Sequence, residues 1–267
     1  MFPIKFTRRQ ALASLSVLAI GNLAVGFTPP KPAKKPTFVL IHGAWHGGWC
    51  WKKVADQLRS DGYTVLAPTL TGLGERAHLL NPDINLDTHI QDVVAVLEYE
   101  DLNNVVLVGH SYGGMVITGV AGKVANRISQ LVYLDAFLPE NGKALRDYTP
   151  PPPKDAPVNN SPDNWKVAPR STAEQFGVRE KADIDWAQSR MGPQPAKTFG
   201  QPLQLSAPIP ESIKKTYILL TEDSPWFLEA ADRAKKMGYQ FYKLLGGGHD
   251  AMISEPKKLA KVFVELI

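Results

Sequence analysis

Apolar positions along this chain follow two patterns that take turns. "TFVLIH" (Thr37 to His42), "YTVLAP", "VVLVGH" (from Val105), "ISQLVYLDAF", "TYILLT" and "QFYKLL" are short runs dominated by β-branched and other large apolar residues, the pattern of strands buried on both faces. Between them stand segments whose apolar residues recur three and four apart: "WCWKKVADQLRSDG", halted by Gly62; "DTHIQDVVAVLEYE", with Ile90, Val93, Val94 and Leu97 on one face; a stretch from Tyr112 to about Asn126; "WFLEAADRAKKMG"; and a closing stretch from about Pro256. That spacing predicts helices. Strands alternating with helices imply an α/β fold, a mainly parallel sheet with helices on both faces.

The alternation stops over about 139–210. "TPPPPKDAPVNNSPDNWKVAPRS" is crowded with residues that break regular structure, and short amphipathic helices are expected around Trp186 and Met191. Trp165, Phe176, Trp186, Met191 and Phe199 are too many apolar anchors for a disordered linker. The segment is also too long for a simple loop, so an inserted lid over the C-terminal edge of the sheet is predicted.

The first 26 residues have a different character. Arg8 and Arg9 precede an apolar stretch from Ala11 to Ala24, followed by small residues and a proline-rich spacer. The apolar stretch falls short of the roughly 20 residues of a membrane span, so 1–26 is expected to be a cleavable export signal and 27–36 a linker, leaving 37–267 as the α/β domain. The paired arginines resemble a twin-arginine signal, for proteins exported folded. The single cysteine, Cys50, rules out an intramolecular disulfide, which is compatible with that route. The expectation is a periplasmic or secreted protein with no stable membrane insertion after processing.

Composition narrows the partners. The 267 residues are 44% hydrophobic and 21% charged, ordinary for a globular domain. The net charge of +4 comes from the leader: residues 1–35 hold six lysines and arginines and no acid, and without them 24 basic residues face 26 acidic ones. Nucleic acid is therefore not an expected partner. His42, His46 and His110 fit no common metal spacing, and "GLG" at Gly72–Gly74 lacks the third glycine of a nucleotide fingerprint. Neither metal nor cofactor is expected. His78 and His89 are read as surface or loop residues, and Cys50 as a packed small residue.

One segment carries chemistry. In "VVLVGHSYGGM" the residues Gly109, Ser111 and Gly113 form G-x-S-x-G where a strand meets a helix. Glycines there can serve only for flexible backbone. The motif also fits a nucleophile elbow, in which small neighbours let the serine stand at the apex of a tight turn beside a helix N-terminus. A serine nucleophile needs a base and a carboxylate. His249 follows the "QFYKLL" strand, and two carboxylates stand at strand ends: Asp223 after "TYILLT" and Asp135 at the close of "LVYLDAF".

The chain order Ser111, Asp223, His249 resembles that of the α/β-hydrolase fold. "FVLIHGAWHGGWCW", "TEDSPWF" and "GGGHDAMISEPKKLA" are similar to the branch of plant methylesterases and hydroxynitrile lyases. The resemblance runs from Thr37 to the C-terminus and is weakest in the lid. It implies a Ser111–His249–Asp223 triad, with Asp135 as the alternative acid, and an oxyanion hole built from the backbone N–H groups of Ala44 and Tyr112. Trp45 and His46 become candidate pocket residues, with core packing as the plain alternative.

The expected function is hydrolysis of small-molecule carboxylic esters through an acyl-enzyme. Lyase chemistry is the runner-up: the lyases of this branch carry threonine after the first histidine and lysine after the catalytic one, where this chain has Gly43 and Asp250. A receptor-like binding module on the same scaffold is a third reading.

Overall fold

The computed structural model describes residues 35–150 and 162–267. The expected export signal and most of the linker lie outside these residues, as does part of the proline-rich stretch.

Strand β1 (Thr37–Ile41) leads through a short 3-10 turn into α1 (Lys52–Ser60), and β2 (Thr64–Leu66) into α2 (Leu86–Tyr99). Then follow β3 (Val105–His110), α3 (Gly113–Val124) and β4 (Ile128–Leu134). A long excursion holds β5 (Lys166–Val167), α4 (Lys181–Gln188), β6 (Gln194–Pro195) and α5 (Ala196–Gly200). The main sheet resumes with β7 (Lys214–Leu219), α6 (Pro225–Lys236) and β8 (Gln240–Lys243), and the chain closes with α7 (Ala251–Ser254) and α8 (Pro256–Glu265). The six-stranded sheet runs β2-β1-β3-β4-β7-β8 with every pair parallel. The expected α/β-hydrolase architecture is what the chain adopts.

The period of two explains the apolar runs. In β1 and β3, Val39, Ile41, Val105 and Leu107 face a core closed by α2, α3 and α6, while Phe38, Leu40, Val106 and Val108 face one closed by α1 and α8. With both faces covered, a strand keeps few positions for polar side chains. Helix α2 starts where Asn85 caps the Thr88 N–H and the Thr88 side chain answers the Asn85 N–H, which satisfies two otherwise orphaned donors. Helix α1 ends at Ser60, and two residues on Gly62 turns the chain at a φ of 82°, open to glycine without strain.

Register then sets the site. Ile41 lies opposite Gly109, His110 opposite Leu134 and Leu134 opposite Ile218. The segments that follow β1, β3, β4 and β7 therefore leave the sheet side by side along its C-terminal edge.

Candidate active site

Ser111 occupies the two-residue turn between β3 and α3, at φ 53°. A non-glycine residue in that region is strained and persists only when its surroundings hold it. They do: the Ser111 N–H donates to Leu134 O, and its carbonyl accepts from Gly114 and Phe137. The glycines are steric requirements. A Cβ on Gly109 would lie 2.6 Å from Gly113 O, on Gly113 2.9 Å from Ile41 O, and on Gly114 2.0 Å from Phe137 O. Gly114, outside the G-x-S-x-G motif, is thus the tightest of the three.

His249 and the carboxylates sort themselves clearly. The His249 Nδ1–H donates to Asp135 Oδ2 at 2.8 Å. Asp135 is fully buried, and its other contacts are donors as well: Leu220 N at 2.9 Å and Thr221 N at 3.3 Å on Oδ1, and the Thr221 hydroxyl at 2.9 Å on Oδ2. Four donors compensate the burial of its charge. Asp223 is exposed, two residues further along the turn. The preference for Asp223 is therefore corrected by the geometry. The end of β7 brings Thr221 and two backbone N–H groups onto the carboxylate of β4, and it is Asp135 that meets the imidazole. Glu222, next to Asp223, is taken by Lys243 at 2.6 Å.

The His249 ring stacks on Phe227 at 4.8 Å and touches Phe176 and His110. Its backbone carbonyl accepts from His110 Nε2 at 3.0 Å. Gly248, at φ 70°, lets the turn press against Gly177 of the excursion, where a Cβ would come within 2.5 Å of the Gly177 Cα.

The other expected residues fall as follows. Ala44 is buried in the loop after β1, close to the elbow: a Cβ on the preceding Gly43 would stand 3.0 Å from the Ser111 Cβ. Tyr112 is fully buried and directly precedes α3. Trp45, at φ 66°, ties the excursion down. Its N–H donates to Gln194 Oε1, its indole N–H to Val167 O, and its carbonyl accepts from Gly192 N. Its ring lies against Phe176 and Phe199. His46 is not exposed to a pocket; it is 2% accessible and pairs with Asp250.

His89 also departs from its surface reading. It is buried on the inner face of α2, donating from Nε2 to Thr71 O at 3.0 Å and accepting the Tyr112 hydroxyl at Nδ1, 2.9 Å away. Burial holds it neutral, its pKa lowered to about 4. His42 accepts from Leu70 N and donates to Gly43 O, and burial lowers its pKa to about 3. Each of these histidines is engaged in structure around the elbow and its flanking loops. His78 is exposed, and the Cys50 thiol is buried with its pKa raised well above the usual range by burial.

Comparison with known proteins identifies the family of the chain. The profile of the alpha/beta hydrolase family matches residues 38–262. A carbendazim hydrolyzing esterase of Nocardioides is 42% identical over 241 residues, covering 86% of this chain and 98% of the relative. An alpha-hydroxynitrile lyase of Arabidopsis thaliana is 26% identical, covering 85% of this chain and 95% of the relative. Among solved structures, an extracellular alpha/beta-hydrolase of a Paenibacillus species, described as sharing structural and functional homology with tobacco salicylic acid binding protein 2, superposes with a TM-score of 0.71 at 26% identity, covering 86% of this chain and 98% of that one.

Proposed function

Since the chain belongs to the alpha/beta hydrolase family and is a carboxylic-ester hydrolase, we propose that it cleaves its ester through an acyl-enzyme on Ser111, with His249 as general base and Asp135 as the orienting carboxylate. The observation that carries this is the 2.8 Å bond from His249 Nδ1 to a fully buried Asp135, which directly follows the strand beside the elbow. With its proton held on Nδ1, the ring keeps an acceptor lone pair on Nε2. That nitrogen takes the Ser111 Oγ proton as the oxygen attacks the ester carbonyl carbon. The oxyanion of the tetrahedral intermediate is received by the N–H groups of Ala44 and Tyr112, where one donor is worth about 3 kcal/mol of barrier. The intermediate collapses, the alkoxide leaves with the proton from Nε2, and water repeats the sequence to release the acid.

Aromatic rings at the site (Trp45, Phe176, Phe199, Phe227) suit small or aromatic esters with apolar groups near the carbonyl. The lyase alternative loses support at Gly43, where a Cβ would meet His110 Nδ1 at 2.8 Å and Ser111 Cβ at 3.0 Å, so threonine has no room without a shift. A p-nitrophenyl ester tests the reading: a burst of about one nitrophenolate per enzyme should precede the steady state if an acyl-enzyme accumulates, and mass spectrometry of the quenched enzyme should find the acyl group on Ser111. An acyl group on any other residue would reject the assignment.

Export is proposed on the strength of the Arg8–Arg9 leader, with the extracellular relative as support. Among the described residues no helix is long and apolar enough to cross a membrane. Replacing both arginines with lysine should leave the precursor in the cytoplasm on cell fractionation. Unchanged export of that variant would remove the twin-arginine route.

A further inference from the structure

The buried imidazole of His46 is used by none of these steps, yet both of its ring nitrogens are engaged. Nδ1 lies 2.7 Å from Ala44 O and Nε2 3.1 Å from Asp250 Oδ2. Ala44 belongs to the loop whose N–H faces the proposed oxyanion, and Asp250 directly follows His249. Both partners are acceptors: a carbonyl oxygen and a carboxylate oxygen offer no proton. A neutral imidazole has one N–H and can satisfy only one of them. Two such bonds require an N–H at each nitrogen.

We propose that His46 is a positioning residue held as an imidazolium, which ties the oxyanion loop at Ala44 to the turn that carries His249. This rests on the serine-hydrolase reading above.

Among the described residues Asp250 is the single charge facing the ring. His42, in the loop after β1, and His110, at the end of β3 with its ring edge-on at 6.5 Å, are both held neutral by burial. Cys50, in the 3-10 turn after that loop, is a thiol pushed up by burial and by Asp250. His249 precedes Asp250 and spends its Nδ1–H on Asp135. Trp49 stacks on the ring at 5.3 Å and Phe176 lies at 5.8 Å. Burial works against the charged ring, but the Asp250 charge and hydrogen bond, helped by the Ala44 carbonyl, outweigh it and raise the His46 pKa above its ordinary value. Asp250 Oδ1 has no hydrogen-bond partner among the described residues, so loss of the His46 proton would leave a poorly compensated buried carboxylate. A group whose folded pKa is raised contributes its stability in full below the unfolded value, about 6.5 for imidazole. That contribution fades as pH rises through the folded value. The bridge, and the alignment it maintains, should therefore weaken on the alkaline side.

Two measurements on the full-length mature protein test this. Nitrogen-15 NMR of histidine-labelled enzyme at pH 7.5 should find both His46 ring nitrogens protonated. A neutral His46 ring at that pH overturns the proposal, and this readout needs no variant to fold and no hydrolysis to be observed. In kinetics, His46→Gln should lower kcat by about 10- to 100-fold with KM within about threefold, the signature of displaced catalytic groups rather than lost binding. Asp250→Asn should keep the bridge without the charge, because a neutral ring can accept from the amide N–H while donating to Ala44 O. Its pH profile should lack the alkaline fall of the wild type that reports the His46 proton. A folded His46→Gln enzyme with unchanged kcat, or the same alkaline fall in Asp250→Asn and wild type, would overturn the positioning role. Hydrolysis persisting in Ser111→Ala would instead sink the serine mechanism and leave the NMR result standing.

Discussion

Ser111→Ala should lower kcat for a p-nitrophenyl ester by about 10⁴- to 10⁶-fold and abolish labelling by a fluorophosphonate. The size of the loss follows from the division of labour at the site. Without the oxygen no acyl-enzyme forms, and what survives is attack by water assisted by binding and the oxyanion donors, which in such enzymes leaves a residue of about 10³- to 10⁴-fold over the uncatalysed rate. The variant should fold normally. Both residues carry a Cβ and meet the same strain at φ 53°, and the bonds that hold the turn, from Ser111 N to Leu134 O and from Gly114 and Phe137 to the residue's carbonyl, are made by backbone atoms. An unfolding free energy from urea titration within about 0.5 kcal/mol of wild type would check this. Retained labelling in the alanine variant would move the nucleophile elsewhere. A wild type that neither labels nor hydrolyses would favour a binding role on this scaffold.

The fold was legible because two covered faces leave a strand few residues to choose from: the runs at Thr37, Val105, Ile128 and Thr216 are strand segments in which nearly every side chain is buried. The elbow was legible for a local reason, since a serine between glycines at a strand end satisfies steric demands visible within five residues. The acid was not. Choosing between Asp135 and Asp223 depends on which strand end faces the His249 turn, a relation among residues more than 100 apart. The β7 end presents donors, Thr221 and two backbone N–H groups, rather than a carboxylate. A signal did exist for Asp135: an aspartate closing a strand as apolar as "LVYL" requires donors to meet it, and sequence shows the aspartate without showing them.

His89 departs from its surface reading, and His46 takes the core-packing alternative, for a related reason. His89 sits in register with Leu86, Ile90, Val93, Val94 and Leu97 on the buried face of α2, so its position in the period pointed inward while its polarity suggested the surface. Periodicity was the better guide, because the Tyr112 hydroxyl and Thr71 carbonyl supply the two partners that a buried neutral imidazole needs. His46 has no such periodic context. Its burial follows from Asp250, 204 residues away, and only the assembled sheet edge brings the two together.

Asp135→Asn should lower kcat by about 10³- to 10⁴-fold, and Asp223→Asn by less than about twofold. Asparagine keeps the shape of the side chain, so the outcome turns on how the amide is held. Leu220 N and Thr221 N both donate to Oδ1, which reserves that position for the amide oxygen and turns the NH₂ toward the Thr221 hydroxyl and His249. An N–H pointing at Nδ1 makes that nitrogen an acceptor and sends the ring proton to Nε2, so the imidazole can no longer take a proton from Ser111. The carboxylate's stabilisation of the imidazolium is lost in the same step. Asp223 is exposed and His249 is already bonded elsewhere, so its neutralisation reaches the site only through a screened field. Both variants should be compared at one pH with urea midpoints recorded alongside, to separate a slow enzyme from an unfolded one. A larger loss of kcat in Asp223→Asn would return the acid to the β7 turn and leave the Asp135–His249 bond a purely structural contact.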